Sequence, residues 1–287
     1  MIAVDTAWRA AHPLPMPAGE TDKNSRGQVL VIGGARRVPG AVTLTAEAAL
    51  RVGAGKVRVA TIAAAAIGIG LAMPEIGVIG LPEDDGGNIA VSDDAALIAS
   101  LERVDAVVVG PGMGDPDAAA ALVRWVASRV REDAVVLLDG AAVSGAGGLK
   151  DVLAPMAGRL ILTPHAGEMA ALMGCPPDAV DDDAAGRAAA RFGAVVALKG
   201  THTVIAAPDA EPLRYVGGGV GLATGGSGDV LAGAIAGLAA RGATPRDAVA
   251  WGVWLHGEAG RVLAGDVGTM GFLARELVPV LPRLLPR

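Results

Sequence analysis

Cysteine, aromatic residues and long apolar segments are scarce in this chain of 287 residues. Its single cysteine, Cys175, cannot form an internal disulfide, which agrees with a reducing, cytoplasmic location. An aromatic content of 2% and a net charge of -6 argue against nucleic-acid binding, which needs basic patches and stacking rings. The longest mainly apolar run, residues 59–73, is too short to cross a bilayer, and no export signal is indicated. We therefore expect a globular, cytoplasmic protein without a membrane partner.

Short apolar runs alternate with glycine-rich or polar turns and helix-like stretches, which is typical of a parallel α/β sheet. The lead-in, residues 1–26, lacks sustained periodicity, and we expect it to be irregular. No repeat or linker divides the chain, so one domain over residues 1–287 is predicted. The predicted strands cover residues 29–32, 57–61, 106–109, 135–138, 160–162 and 195–198. The predicted helices cover residues 41–52, 116–130, 245–263 and 272–281.

The most informative stretch, residues 222–242, is a glycine-rich turn that opens into an apolar helix. Gly225, Gly226, Ser227 and Gly228 form the turn, and apolar residues recur behind it at helical spacing. The free N–H groups and positive dipole end of a helix N-terminus favour an anion, and glycine lets a phosphate approach the backbone closely. The pattern therefore predicts an anion hole at this turn.

Asp229 follows the turn directly and has two possible roles. A carboxylate in the first helical turn commonly stabilises the helix dipole. Beside an anion hole it can also accept the proton of a hydroxyl that attacks a phosphate. We interpret Asp229 as this general base, and we expect the helix dipole to keep it ionised at neutral pH.

Other polar turns follow predicted strands, at the edge where open α/β sheets bind ligands. Residues 110–114 form either a tight connection or a second backbone wall against the ligand. His165 either caps a helix or contacts a substrate, and Glu168 could hold a hydrated Mg²⁺. Residues 199–203 form either a hairpin turn or a cradle for a nucleotide. His256, by contrast, is interpreted as a core histidine.

Two common nucleotide-binding fingerprints are absent from the sequence. No stretch matches G-x-x-x-x-G-K-[ST], and no G-x-G-x-x-G follows the first predicted strand. A P-loop enzyme and a dinucleotide-binding fold with that fingerprint are therefore excluded. Phosphate recognition must come from the turn before Asp229.

In their order along the chain, five segments resemble the ADP- or ATP-dependent NAD(P)H-hydrate dehydratases of the ribokinase-like superfamily. These metabolite-repair enzymes occur alone or fused to an epimerase domain, and the resemblance here is to the stand-alone form. It implies an α/β fold with a doubly wound, mostly parallel sheet flanked by helices. No single segment is specific, but together they span nearly the whole chain. The segments are residues 26–61, 110–114, 163–168, 199–203 and 223–242.

By matching position, the resemblance implies that Asp229 is the catalytic base. The hydrated nicotinamide of NADH or NADPH would contact Asp229 together with Ala41, Gly112, Gly114 and His165. The adenine nucleotide would be held by Lys199, Gly200, Thr201, His202, Thr203 and Gly228. In the implied reaction, ADP or ATP phosphorylates the ring hydroxyl, and elimination of phosphate restores the reduced cofactor. Mg²⁺, bound through water to Glu168, a homo-oligomer (a tetramer) and a separate epimerase partner are implied as well.

The chain departs from the family's pattern at two places. Gly219 and Val220 stand where Asn-Pro is common, and Gly140 and Ala141 follow Asp139 where Ala-Asp is common. The first departure removes an expected side-chain contact, and the second removes an acidic group. Both affect the expected substrate orientation and metal binding more than the fold.

Two alternative functions stay open at this point. A ribokinase-like kinase of a vitamin alcohol would use the same turn, but it typically carries Thr-Pro-Asn where this chain has Thr163, Pro164 and His165. A non-catalytic nucleotide-binding regulatory protein would tolerate a neutral residue in place of Asp229. Recovery of NADH from its hydrate in the presence of ADP separates the three functions.

Overall fold

A computed structural model describes residues 1–16 and 22–286 and contains one sheet of ten strands. The strands are β1 Ile2–Ala3, β2 Gln28–Ile32, β3 Lys56–Ile62, β4 Gly77–Leu81, β5 Ala106–Val109, β6 Val135–Leu138, β7 Leu160–Leu162, β8 Val195–Leu198, β9 Thr203–Ala206 and β10 Leu213–Tyr215. The helices are α1 Thr6–Ala11, α2 Ala41–Arg51, α3 Ala63–Ala72, α4 Ala95–Leu101, α5 Pro116–Ala127, α6 Ala141–Gly145, α7 Lys150–Leu153, α8 Ala166–Met173, α9 Ala184–Phe192, α10 Ser227–Ala240, α11 Pro245–Asp266, α12 Ala274–Leu277 and α13 Leu281–Leu284.

The sheet is mostly parallel and doubly wound, which confirms the predicted fold class. Its strand order is β1-β10-β9-β8-β7-β6-β5-β2-β3-β4. From β4 to β8 all neighbours are parallel, whereas β9 is antiparallel to both β8 and β10. The order reverses where β2 lies beside β5. Ligands bind beyond the carboxyl ends of strands at such a switch point.

Helices cover both faces of the sheet, so its central strands are buried on both sides. Alternate residues of each strand enter different apolar clusters. Val31 and Val108 pack with α2, α10 and α11, whereas Ile32 and Val109 pack with α5, α6 and α9. This two-sided burial explains why the strands read as unbroken apolar runs.

The lead-in is more ordered than the irregular segment that the sequence predicts. Ile2 N donates to Pro212 O at 2.9 Å, which pairs β1 with β10, and α1 buries Trp8. Trp251 Nε1 donates to His12 O at 2.7 Å and ties the segment to α11. These partners lie more than 200 residues away in the sequence, so no local periodicity reveals them. Residues 17–21 of the lead-in lie outside the described part of the chain.

Two other segments differ from their predictions. The apolar run of residues 59–73 is divided between the end of β3 and helix α3. The predicted helix over residues 272–281 becomes two short helices, α12 and α13. Among the described residues, no helix combines the length and the apolar character that a membrane crossing requires.

Helix α10 lies in parallel contact with α2 because glycines remove side chains from their interface. A Cβ added at Gly233 would overlap the carbonyl group of Thr45, and one at Gly237 would lie 2.7 Å from Ala49 O. Gly233 thus meets Thr45, and Gly237, four residues further along α10, meets Ala49, four residues further along α2. The two helices therefore run in the same direction and in a fixed register. A Cβ at Gly226, the N-cap of α10, would likewise lie 2.5 Å from Leu44 Cδ1, so the packing brings the first turn of α10 alongside the first turn of α2.

We predict that Gly233→Ala destabilises the fold by about 1–3 kcal/mol, because the new methyl group overpacks this interface. Gly186→Ala is the matched control, since Gly186 lies in α9, is exposed and has no atom within 4 Å of an added Cβ. It should stabilise the fold by about 0.4–1 kcal/mol through the unfolded-state entropy. Urea unfolding measures both changes, and equal effects would contradict the packing argument.

Candidate active site

The N-terminus of α10 has no capping side chain. Its cap residue is Gly226, with a φ of 89°, and the backbone N–H groups of Gly228 and Asp229 donate to no described residue. A side chain at Gly226 would also collide with Leu44 of α2. The helix therefore presents free N–H donors and the positive end of its dipole, as the anion-hole prediction requires.

Asp229 is the third residue of α10 and is partly buried. Its pKa is raised to about 7, first by burial and then by the negative charge of Asp139, while the Lys199 ammonium opposes the shift. The expectation that the helix dipole keeps Asp229 fully ionised is thus wrong, because desolvation and like charge outweigh the dipole. A carboxylate with a pKa near 7 is instead well matched to accept a proton at neutral pH.

Lys199 lies beside this carboxylate, at the end of β8. Its Nζ is 3.0 Å from Asp139 Oδ1 and 3.8 Å from Glu168 Oε2, and 3.6 Å from where a Cβ at Gly228 would lie. Although burial lowers the pKa of Lys199, the charges of Asp139 and Glu168 raise it more, so that its net shift is upward. A permanent cation therefore stands next to the free N–H groups of α10.

Sequence reasoning missed Asp139 as a site residue. Its carboxylate is buried and accepts a hydrogen bond from Thr163 Oγ1 at 2.6 Å, in addition to the Lys199 contact. Thr163 thus fixes the carboxylate that holds the lysine. The sequence feature that could have identified Asp139 is its position: it is a charged residue directly after the apolar strand β6, at the ligand-binding edge of the sheet.

His165 is the N-cap of α8. Its Nδ1 accepts hydrogen bonds from Gly167 N at 3.0 Å and Glu168 N at 3.2 Å, and Glu168 Oε2 accepts from His165 N at 2.8 Å. Because Nδ1 is an acceptor, the neutral ring carries its proton on Nε2. The ring is 59% exposed and lines the cavity described next. The capping interpretation is confirmed, and the proton-bearing Nε2 lies 3.3 Å from Glu168 Oε1.

A cavity of about 880 Å³ lies beside the N-terminus of α10. Ten of the predicted site residues line it: His165, Glu168, Lys199, Gly200, Thr201, His202, Thr203, Ser227, Gly228 and Asp229. The turn from Lys199 to His202 joins the antiparallel strands β8 and β9, so it is both a hairpin turn and part of the wall. Its His202 is fixed by a contact of 2.9 Å between Nε2 and Asp182 Oδ1.

The rest of the wall includes apolar side chains and residues from both places where the chain departs from the family pattern. Leu222, Leu231, Val253 and Tyr215 provide an apolar surface, and Gly140, Gly219 and Val220 also line the cavity. Val220 is 68% exposed. The sequence did not identify Leu222, Leu231, Val253 or Tyr215 as site residues, because each is an ordinary apolar member of its strand, turn or helix.

Five predicted residues lie outside this wall: Ala41, Gly112, Gly114, Gly225 and Gly226. Gly112 belongs to the loop after β5, which bonds the loop after β2 at the switch point through Ala35 N and Gly112 O at 3.1 Å. A Cβ at Gly112 would lie 2.9 Å from Ala41 Cβ. Gly112 and Ala41 therefore lie together at the switch point, outside the wall of the cavity that Asp229 lines.

The carboxylates of the site do not fit a magnesium ion bound directly by the protein. No group of three His, Cys, Asp or Glu side chains in the described ranges is arranged to hold a metal ion. The Lys199 ammonium already occupies the position between Asp139 and Glu168. Water-mediated binding at Glu168 therefore stays a prediction.

The doubly wound sheet, the uncapped glycine turn and the adjacent carboxylate define a protein of the ribokinase-like class. A ribokinase-like superfamily protein of Enterococcus faecalis superposes with a TM-score of 0.82 at 27% identity, covering 94% of this chain and 90% of that one.

Within that class, the chain belongs to the NAD(P)H-hydrate dehydratase family, whose pattern matches residues 29–283. The ADP-dependent (S)-NAD(P)H-hydrate dehydratase of Xanthomonas campestris is 48% identical, over 99% of this chain and 96% of that protein. The ADP/ATP-dependent NAD(P)H-hydrate dehydratase of Bacillus subtilis, co-crystallised with ATP/Mg²⁺, is 28% identical with a TM-score of 0.78, covering 98% of this chain and 96% of that one. The resemblance inferred from the sequence is confirmed.

We predict that Asp229→Asn gains stability relative to the wild type as the pH rises. The raised pKa means that the folded state holds the proton more tightly than the unfolded state, so the wild type loses stability between about pH 4 and pH 7. The variant lacks this loss. Its unfolding free energy, measured relative to that of the wild type, should therefore increase by roughly 2–4 kcal/mol between pH 4 and pH 8. Urea unfolding at both pH values measures it. If Asp229 mainly caps α10, the variant would instead lose about 1 kcal/mol or less at pH 8.

Proposed function

We propose that this chain is an ADP-dependent (S)-NAD(P)H-hydrate dehydratase, a hydro-lyase that repairs hydrated NADH and NADPH. The observation that carries the proposal is the placement of Asp229. Its carboxylate, with a pKa near 7, stands in the first turn of α10, where the N–H groups of Gly228 and Asp229 are free and the Lys199 ammonium lies near Gly228. A proton acceptor next to donors for a phosphate is the arrangement that phosphoryl transfer to a hydroxyl requires.

The cavity and the switch point suit two different ligands. The cavity combines Lys199 and the hydroxyls of Thr201 and Thr203 with an apolar wall, which suits the phosphates and base of an adenine nucleotide. Gly112 and Ala41 lie at the switch point, where a hydrated nicotinamide ring would reach Asp229. His165 lines the cavity and, by matching position in the family, would contact the hydrated ring where the two ligands meet.

In the proposed reaction, Asp229 accepts the proton of the hydroxyl on the hydrated ring. The oxygen then bonds to the terminal phosphorus of the nucleotide, and the bond from that phosphorus to its bridging oxygen breaks, which converts ADP into AMP. The free N–H groups of α10 and Lys199 stabilise the charge on the transferred group. Loss of phosphate from the ring, with a proton from the neighbouring carbon, restores the double bond of the reduced nicotinamide.

ADP is the proposed co-substrate, with ATP as the alternative donor. Mg²⁺ would enter with the nucleotide, bound by its phosphates and water, because the carboxylates of the protein are engaged with Lys199. We also propose a cytoplasmic homo-oligomer, a tetramer, that works with a separate epimerase. The single cysteine supports the location, and the family resemblance supports the oligomer and the epimerase.

The wild type should restore NADH from its hydrate when ADP is present and release AMP and phosphate. Asp229→Asn should still bind ADP by calorimetry, yet lose about 10²–10⁴ in rate, because the amide cannot accept the proton. Asp247→Asn is the matched control, since Asp247 is the third residue of α11 as Asp229 is of α10, but does not line the cavity. It should keep full activity.

Three outcomes would contradict these assignments. A folded Asp229→Asn protein that keeps more than about a tenth of the activity would exclude the general base. A wild type that accumulates a phosphorylated product without releasing phosphate would be a kinase. A wild type that binds ADP without turnover would be a regulatory protein.

We predict that His165 contributes to hydrate binding and not to nucleotide binding. His165→Asn keeps an N-cap for α8, since Asn is a favoured cap, but removes the ring, whereas His165→Ala removes both. Both variants should raise KM for the hydrate and leave AMP affinity nearly unchanged, and only the Ala variant should lose about 1 kcal/mol of stability. Steady-state kinetics, calorimetry and urea unfolding separate the roles. Wild-type kinetics in the Asn variant would mean that His165 is only a cap.

A further inference from the structure

A buried hydrogen bond joins Ser227, the first residue of α10, to His256 within α11. Ser227 Oγ lies 2.9 Å from His256 Nε2, and the two residues are 5% and 9% exposed. His256 was expected to be a satisfied core histidine, and its burial and bond agree with that. Both residues also line the cavity, and the reaction as proposed uses neither side chain.

The backbone of Ser227 cannot serve the anion hole as its neighbours do. Its N–H donates to Thr224 O at 3.2 Å, whereas the N–H groups of Gly228 and Asp229 donate to no described residue. Of the two donors that Ser227 has, its hydroxyl and its backbone N–H, only the hydroxyl can therefore bond an anion. Its orientation depends on His256, the one described side chain that bonds it.

His256 is neutral near pH 7. Burial lowers the pKa of His256 to about 4, a hydrogen bond with the backbone of Ser227 opposes that shift, and the Lys199 charge adds a smaller lowering. A neutral imidazole carries one proton, on either Nε2 or Nδ1. With the proton on Nε2, the ring donates to Ser227 Oγ, and the serine hydrogen is free to point into the cavity. With the proton on Nδ1, the serine donates to the ring and turns its lone pairs outward, which repels a phosphate.

We propose that the Ser227 hydroxyl donates to the phosphoryl group that is transferred, and that His256 is the positioning residue that fixes this hydroxyl through its Nε2–H. This inference rests on the proposed function. Ser227 Oγ, Gly228 N–H and Asp229 N–H then converge from a single helical turn on one phosphoryl group. The first of these donors exists only while His256 holds the serine in this orientation.

A double-mutant cycle tests the coupling. Ser227→Ala and His256→Leu should each lower kcat for NADH recovery by about 10²-fold, the usual cost of one donor to developing charge. The double variant should lose little more than either single variant, because the two side chains act as one unit. His256→Gln retains an amide N–H near the position of Nε2 and should recover at least about tenfold over His256→Leu. AMP, which lacks the transferred group, should bind all four variants as it binds the wild type.

A purely structural role gives a different pattern. Losses that multiply to about 10⁴ in the double variant, or a Ser227→Ala variant with wild-type kcat, would overturn the inference. Lower AMP affinity in parallel with kcat would mean general damage to the site and would also overturn it.

The proposed function can fail separately from this inference. If the wild type binds ADP but does not restore NADH, the proposed function is wrong. The inference is then tested by the ratio of ADP affinity to AMP affinity instead of by kcat. Ser227→Ala and His256→Leu should then each lower that ratio by about tenfold, as loss of a hydrogen bond to a charged group predicts. An unchanged ratio, or a wild type that binds no ADP, would overturn the inference.

Discussion

The positive end of helix α10 has no capping side chain, and the rest of the site depends on this. The cap residue Gly226 leaves the N–H groups of Gly228 and Asp229 free, and the Lys199 ammonium lies next to the same turn. A cation near the positive end of a dipole is unfavourable alone, and Asp139 and Glu168 hold it there. The result is a local excess of hydrogen-bond donors, which a phosphate group complements.

The carboxylates that hold Lys199 also determine the proton affinity of Asp229. Asp139 and Glu168 raise its pKa, Lys199 lowers it, and burial adds the largest upward shift. One charge network thus contains both the cation and the base that the proposed reaction requires. Like charges gathered in a partly buried place cost stability, and such conflicts are typical of sites selected for chemistry.

Much of the fold follows directly from the sequence. The strands Ala106–Val109, Val135–Leu138, Leu160–Leu162 and Val195–Leu198 agree residue for residue with their predictions, because strands buried on both faces are continuous apolar runs. The strands β1, β4 and β10 were not predicted, and β9 was implied only by the hairpin alternative for residues 199–203. They are short or interrupted by glycine or polar residues, and the pairing of β1 requires β10, which is more than 200 residues away.

By itself the sequence determined which chemical groups gather at one edge of the sheet, since parallel strands all end there. It also determined the uncapped glycine turn at the start of α10, because a glycine turn at a helix start is local. Only the tertiary structure decided that Asp139 meets Lys199 from 60 residues away, that His165 both caps α8 and lines the cavity, and that Ser227 meets His256. It also reversed the expected pKa shift of Asp229. The helix dipole can be read from the sequence, but burial and the charges of distant residues exist only once the chain has folded.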